Sequence, residues 1–225
     1  MRGIRMRILL VYIHEDEKLK ACLESLKKFS PEIPVDLIKA DPKKTNVSEE
    51  EYQKYFNSEK FIEDVMIWHP DMIATENWYE KLKKYYDSFD VIGCKILYPD
   101  GIVNHYGGAI RKDGVGCHPH QFTLNIGLNE PLSCAYVTGP SMIVKKKVWD
   151  KIKSYDFQFT YYIDADFCFQ ARANGFSVGV IPVELIHSEG EDILKRMPQW
   201  KTAQMQKENY DKFTAKWMQN LGELR

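Results

Sequence analysis

No stretch of this 225-residue chain approaches the ~20 consecutive apolar residues that a helix needs to cross a bilayer. The basic start, MRGIRMR, leads into a short apolar run, but charge returns at Glu15 and no small-residue cleavage site follows. A core strand is therefore expected there, in place of a secretory signal. No basic run is present and the net charge is -1, which leaves no field to hold nucleic acid. The five cysteines, Cys22, Cys94, Cys117, Cys134 and Cys168, are scattered, odd in number and form no CxxC pair. That pattern argues against a disulfide framework or a zinc knuckle and favours a reducing compartment. Repeats, low-complexity segments and linkers are also missing, so one domain is expected. The expected location is cytoplasmic, with peripheral contact at the inner face of a membrane left open.

Apolar residues make up 44% of the chain and charged residues 28%, an ordinary balance for a globular protein with a full core. RILLVYI, residues 7–13, reads as a buried strand, and Leu19, Cys22, Leu23, Leu26 and Phe29 recur at helical spacing before Pro31. VDLIKA is a second strand ending at Asp41. Ser48 and Glu51 make a capping box, and VMIW is a third strand stopping at His69-Pro70-Asp71. Thr75 is expected to cap a helix running to about Phe89, before a fourth strand, VIGCKILY. Residues 102–133 are rich in glycine and turns and resist assignment. CAYV and SMIVK are expected strands around Thr138-Gly139-Pro140, with a helix near Val148–Ile152. YYIDADFCFQARANGF predicts a helix closed by Gly175, and SVGVIPVELIH a strand ending at His187. A last helix carries Trp200, Ala203, Tyr210, Phe213, Trp217 and Leu221 as its packing stripe, and its lysines could meet anionic lipid. Strand and helix alternate first and strands dominate later, which is the pattern of an α/β domain whose sheet begins parallel and becomes mixed.

Ligands of open α/β sheets sit beyond the carboxyl ends of the strands. Tyr12, His14, Asp41, His69, Asp71 and His187 all fall at or just past such ends. Asp164 and Asp166 stand out differently, as two carboxylates set among Tyr161, Tyr162, Phe167 and Phe169. A helix start accounts for one of them as a cap and less readily for two. Asp71 also suits a plain turn, and His187 a satisfied structural position. Cys117, His118 and His120 suggest a metal group but lack a fourth nearby ligand, and His105 is equally ambiguous.

DVIGCKILYPDGIVNHYGG, YVTGPSMIVKKKVWDKI and FTYYIDADFCFQARANGFSVGVIPVELIHSEG together resemble the second half of a family 2 glycosyltransferase of GT-A fold. ILLVYIHEDEKLKACLESL resembles that family's opening strand and helix, so the likeness spans most of residues 7–190. It implies a single GT-A-like α/β domain: a Rossmann-like nucleotide-binding half over about 1–90, a mixed-sheet acceptor and catalytic half over about 91–190, and a C-terminal helix over about 191–225. The family's ED motif falls on Ile163-Asp164, which implies Asp164 as catalytic base, with Asp166 as a supporting or acceptor-contacting carboxylate. Its Asp-x-Asp motif falls on His69-Pro70-Asp71 and its later histidine on His187, which implies a divalent cation, Mn2+ or Mg2+, held by Asp71, His187 and His69. Tyr12, His14, Glu15 and Asp41 match the nucleotide-cradling positions, and Gly139 the small residue beside the transferred sugar. The implied reaction is inverting transfer from a nucleotide-sugar donor to a glycan or lipid-linked acceptor, in cell-surface glycan or polysaccharide synthesis. Two features depart from the pattern. His69 replaces the first acid, which makes the site softer and less anionic and implies either weak metal binding or manganese in place of magnesium, and the span from Asp41 to Asp71 is short enough to omit a strand. They keep a second class open, a GT-A homologue that binds a nucleotide-sugar or glycan without turnover. A nucleotidyltransferase is disfavoured by the missing glycine-rich basic signature near the N-terminus.

Overall fold

The computed structural model describes residues 4–41, 47–153, 161–188 and 199–220, and the side chains of 47–49 and 220 are outside that description. The fold is mixed α/β. Strand β1 (Met6–Tyr12) lies between β2 (Val35–Lys39) and β3 (Asp64–Trp68), and both pairings are parallel. β10 (Ile143–Val144) pairs antiparallel with β3 and with β5 (Val91–Leu97). β11 (Val178–His187) returns parallel to β5, and β4 (Met72–Ala74) closes the row antiparallel to β11. The order is β2-β1-β3-β10-β5-β11-β4. β6 (Val103–His105) adds to β5 and β9 (Leu132–Ser133) to β11, while β7 (Ala109–Ile110) and β8 (Gly116–Cys117) form a separate hairpin.

The apolar strands divide their side chains by twos. Ile8 and Leu10 of β1, Met66 and Trp68 of β3 and Ile92, Cys94 and Ile96 of β5 join one core. That core is covered by α1 (Glu17–Phe29) and α3 (Trp78–Tyr85) through Leu19, Cys22, Leu26, Trp78 and Leu82. Leu9, Val11, Val65 and Ile67 face the opposite core. There they meet Tyr52, Tyr55 and Phe56 of α2 (Val47–Phe56), Trp149 of α4 (Lys146–Ile152) and Phe167 and Phe169 of α5 (Ile163–Ala173). Burial on both faces is why these strands read as unbroken apolar runs.

Several local expectations need correction. Thr75 does not cap α3; its hydroxyl donates to the Glu184 carbonyl at 2.6 Å, tying β4 to β11, and the residue before the helix is Asn77 in the left-handed region. CAYV is no strand, since among its residues only Tyr136 forms an isolated bridge, to Gly108. The stripe of α6 (Gln199–Trp217) is shifted: Trp200 and Ala203 are exposed, and Asn209, Phe213 and Trp217 are buried. Asn209 was missed because it is polar; its carbonyl accepts the Tyr161 N–H at 2.8 Å, which satisfies a group that would otherwise be costly to bury. Leu221 and the side chain of Ser48 lie outside the described residues. Among the described residues no helix is long and apolar enough to cross a membrane.

Candidate active site

The parallel strands β1, β2, β3, β5 and β11 point their carboxyl ends toward one edge of the sheet, and the groups singled out above gather there. His69 and Asp71 occupy the turn between β3 and β4, and His187 ends β11 opposite Met72. The turn is held by main-chain bonds: Met72 N–H donates to the His69 carbonyl at 3.1 Å and Ser188 N–H to the Asp71 carbonyl at 2.9 Å. One nitrogen or oxygen from each of His69, Asp71 and His187 lies within 4.8 Å of the others, the one such group of three among the described residues. His187 Nε2 is 3.1 Å from Asp71 Oδ1. Burial pushes the His69 imidazole down to about 4, with the Asp71 charge opposing, so it stays neutral, the form that coordinates a cation. Two imidazoles and one carboxylate, half-buried and converging, are a donor set suited to a divalent cation.

The second group surrounds a cavity of about 660 Å³. Asp164 opens α5, but neither it nor Asp166 caps that helix; Tyr162 holds the position before it, at φ +69°. Asp164 Oδ2 accepts the Gly139 N–H at 2.9 Å. A side chain on Gly139 would put its Cβ 3.1 Å from Asp164 Oδ1, a tight contact that would require the carboxylate to shift by a few tenths of an ångström. Aromatic surroundings desolvate the Asp164 carboxyl and push it up to about 6, with the Gly139 N–H pulling the other way. Tyr136, Tyr161 and Tyr162 share the wall with it, and Gln206, Lys207 and Tyr210 of α6 form the opposite side. Thr138 lines the same cavity, its Oγ1 buried without a hydrogen-bond partner among the described residues.

Asp166, expected beside Asp164 as a supporting carboxylate, faces another way. It is fully buried and accepts from Trp217 Nε1 at 2.7 Å, Lys216 Nζ at 2.8 Å and Gln170 Nε2 at 2.7 Å. Two residues along a helix turn the side chain by ~200°, so adjacent acids of one first turn serve different surfaces. Asp166 anchors α6 and with it one wall of the cavity.

The expected nucleotide-cradling residues lie at or just past the ends of β1 and β2. Tyr12 is half-buried at the end of β1, His14, Glu15 and Asp41 are exposed, and Glu15 pairs with Lys39 at 2.8 Å. One group went unrecognised in the sequence. His118 lines the cavity, its Nδ1 2.8 Å from His105 Nδ1 and its Nε2 3.4 Å from the Tyr136 hydroxyl. Burial pushes His105 down to about 3 and lowers His118 as well, so both rings are neutral hydrogen-bonding groups. Nothing in the spacing of residues 105, 118 and 136 announces this. The metal group considered for Cys117, His118 and His120 does not form; Cys117 Sγ instead contacts the Ala109 carbonyl.

No protein-family model matches the chain. The uncharacterized protein y4gI of Sinorhizobium fredii (strain NBRC 101917 / NGR234) is 28% identical over 109 residues, which are 44% of this chain and 12% of that protein. The crystal structure of GalNAc-T7 with UDP, GalNAc and Mn2+ is similar at a TM-score of 0.60 and 12% identity, over 81% of this chain and 42% of that one. The crystal structure of A197 from STIV is similar at a TM-score of 0.53 and 11% identity, over 80% and 83% of the two chains. This chain thus spans less than half the length of the first two proteins. At these identities the likeness is one of fold: the chain has a GT-A-like α/β fold with a mixed central sheet.

Proposed function

We propose that this chain is an inverting glycosyltransferase, moving a sugar from a nucleotide-sugar to an acceptor hydroxyl with Asp164 as general base. The observation that carries the proposal is Asp164 itself, a carboxylate raised to about 6 on the wall of a large cavity, on the sheet edge that also holds the His69, Asp71 and His187 group. A base tuned to that range is ionised at neutral pH yet basic enough to accept a proton. Asp164 takes the proton of the acceptor hydroxyl. The acceptor oxygen bonds to the anomeric carbon from the face opposite the nucleoside diphosphate, and the bond to the diphosphate oxygen breaks with its electron pair. One displacement inverts the carbon. Gly139 fixes the carboxylate through its N–H, and its lack of a side chain lets the two come this close. The unsatisfied Thr138 hydroxyl offers a hydrogen bond to an acceptor hydroxyl, and the tyrosines offer ring faces. His69, Asp71 and His187 would hold a divalent cation, which supplies positive charge to the leaving diphosphate. Tyr12, His14, Glu15 and Asp41 sit where the nucleotide would lie. The reading places the protein on the cytoplasmic side, acting in cell-surface glycan synthesis.

A second reading is favoured by one contact. Because His187 Nε2 already lies 3.1 Å from Asp71 Oδ1, the pair has a partner without an ion, as a non-catalytic nucleotide-sugar binder would require. Melting with UDP-, GDP- and dTDP-sugars, with and without manganese, separates the possibilities, because a ligand of the folded state raises stability once its concentration exceeds Kd. The expected result is one nucleotide class whose stabilisation needs manganese, and loss of that dependence in Asp71→Ala. Equal stabilisation by the donor in manganese and in excess chelator would overturn the metal assignment. Donor binding without sugar transfer to any acceptor would favour the binder.

A further inference from the structure

The segment from Cys117 to Asn129 contains no Asp, Glu, Lys or Arg, in a chain where such residues make up 28%. It presents Phe122, Leu124 and Ile126 to solvent with 72%, 65% and 75% of their surface exposed. These are not the side chains of a loose loop. Phe122 N–H donates to the Val103 carbonyl at 2.9 Å, and Val103 N–H to the Thr123 carbonyl at 3.0 Å. The Phe122 ring stacks on Tyr98 at 5.6 Å, nearly parallel, although its backbone sits at φ +62°, where bulky residues are rarely found. From beneath, buried Lys95 donates to Asn125 Oδ1 at 2.8 Å and to the Leu128 carbonyl at 2.9 Å. The fold therefore holds three alternate apolar side chains outward on a fixed support, where water disfavours them.

We propose that this loop inserts its apolar tip into the surface of a lipid bilayer. A protein partner fits less well, because a stable interface needs ~800 Å² on each side and twenty or more residues, whereas this patch is three side chains on one projecting segment. The missing charge distinguishes this from electrostatic attachment. Two of the four α6 lysines, by contrast, are engaged: Lys207 pairs with Asp211 and Lys216 with Asp166. The loop also begins at His118, on the cavity wall, so insertion would bring the cavity to the membrane surface, where a lipid-linked acceptor resides. The insertion itself does not depend on the transferase reading.

The test is flotation of the full chain with vesicles of phosphatidylcholine alone and of phosphatidylcholine with phosphatidylserine. Three apolar side chains give an affinity in the range of a single acyl chain, weak and reversible. Binding is expected to both vesicles and to be insensitive to salt. Leu124→Ser combined with Ile126→Ser should lower it at least ~10-fold, by the transfer free energy of two such side chains, with an unchanged melting temperature. As a check that does not depend on that variant, Leu124→Trp should gain emission quenched by brominated lipid. No wild-type binding, binding only to the anionic vesicles, undiminished binding of the double variant, or self-association abolished by the same substitutions would each overturn the proposal.

Discussion

Asp164→Asn is expected to reduce sugar transfer by ~10²–10⁴-fold, the usual cost of removing a general base, while leaving nucleotide-dependent stabilisation nearly intact. The rate of the wild-type protein should rise with pH through about 6, the value to which desolvation raises this carboxyl. The same substitution should make the protein more stable. A raised carboxyl favours the protonated form in the folded state, so its contribution is fully present below the ordinary aspartate range and lost as pH rises through about 6. At neutral pH the folded protein bears the cost of an ionised, poorly solvated group that asparagine does not carry. The gain is roughly 1–3 kcal/mol, the lower part of the range reflecting partial exposure to the cavity. It should vanish near pH 4. Melting curves at the two pH values, beside a transfer assay, separate a base from a structural carboxylate. Near wild-type transfer, or loss of stability at neutral pH, would refute the assignment.

Asp166→Ala is expected to give the largest loss of stability. It strands the Lys216 ammonium and the Trp217 indole N–H, both of which reach Asp166 within 3.0 Å. Breaking a buried ion pair by removing one partner typically costs ~3–5 kcal/mol, and the lower end applies because Lys216 is partly exposed. The release should be felt along α6. Phe213 packs against Tyr162 at 4.8 Å and Phe169 at 5.4 Å, and Gln206, Lys207 and Tyr210 line the cavity one and two turns earlier. Hydrogen exchange should quicken over 205–217, and acceptor KM should rise while donor-dependent stabilisation persists. Asp166→Asn keeps an acceptor for the indole and should cost less. A melting temperature within 2 °C of wild type for the alanine variant would mean that α6 is held by its apolar contacts alone.

These two acids also mark how far a sequence can be read. Their oddity was legible, because ionised side chains are rare in aromatic company. Their division of labour was not, since it depends on a helix 50 residues later that presents Lys216 and Trp217 to one and on a loop that presents Gly139 to the other. Strands β1, β3, β5 and β11 were legible because both of their faces are largely buried and their apolar runs are continuous, whereas β4 was too short to be seen. Residues 102–133 were not, because β6 to β9 are two or three residues long and their conformation is set from outside, by Lys95 beneath Asn125 and by the Tyr106 hydroxyl donating to the Glu130 carbonyl. Thr75 and Trp200 misled for a related reason. Capping and periodicity describe an isolated helix, whereas β11 claimed the hydroxyl of Thr75, and the side chains that α6 buries, among the described residues, fall in its second half.

Lys95 has a consequence for how this protein can vary. Surface loops usually tolerate inserted and deleted residues, because their backbone is solvated whatever its length. Here an ammonium with 1% of its surface exposed relies for its solvation on Glu184, on the Asn125 side chain and on the Leu128 carbonyl. A change of one residue between 118 and 128 would move two of those three ligands and leave a buried charge unanswered. Variants that alter the length of this loop should therefore survive only where residue 95 has first become neutral, so the order in which such changes accumulate is constrained by a single amino group.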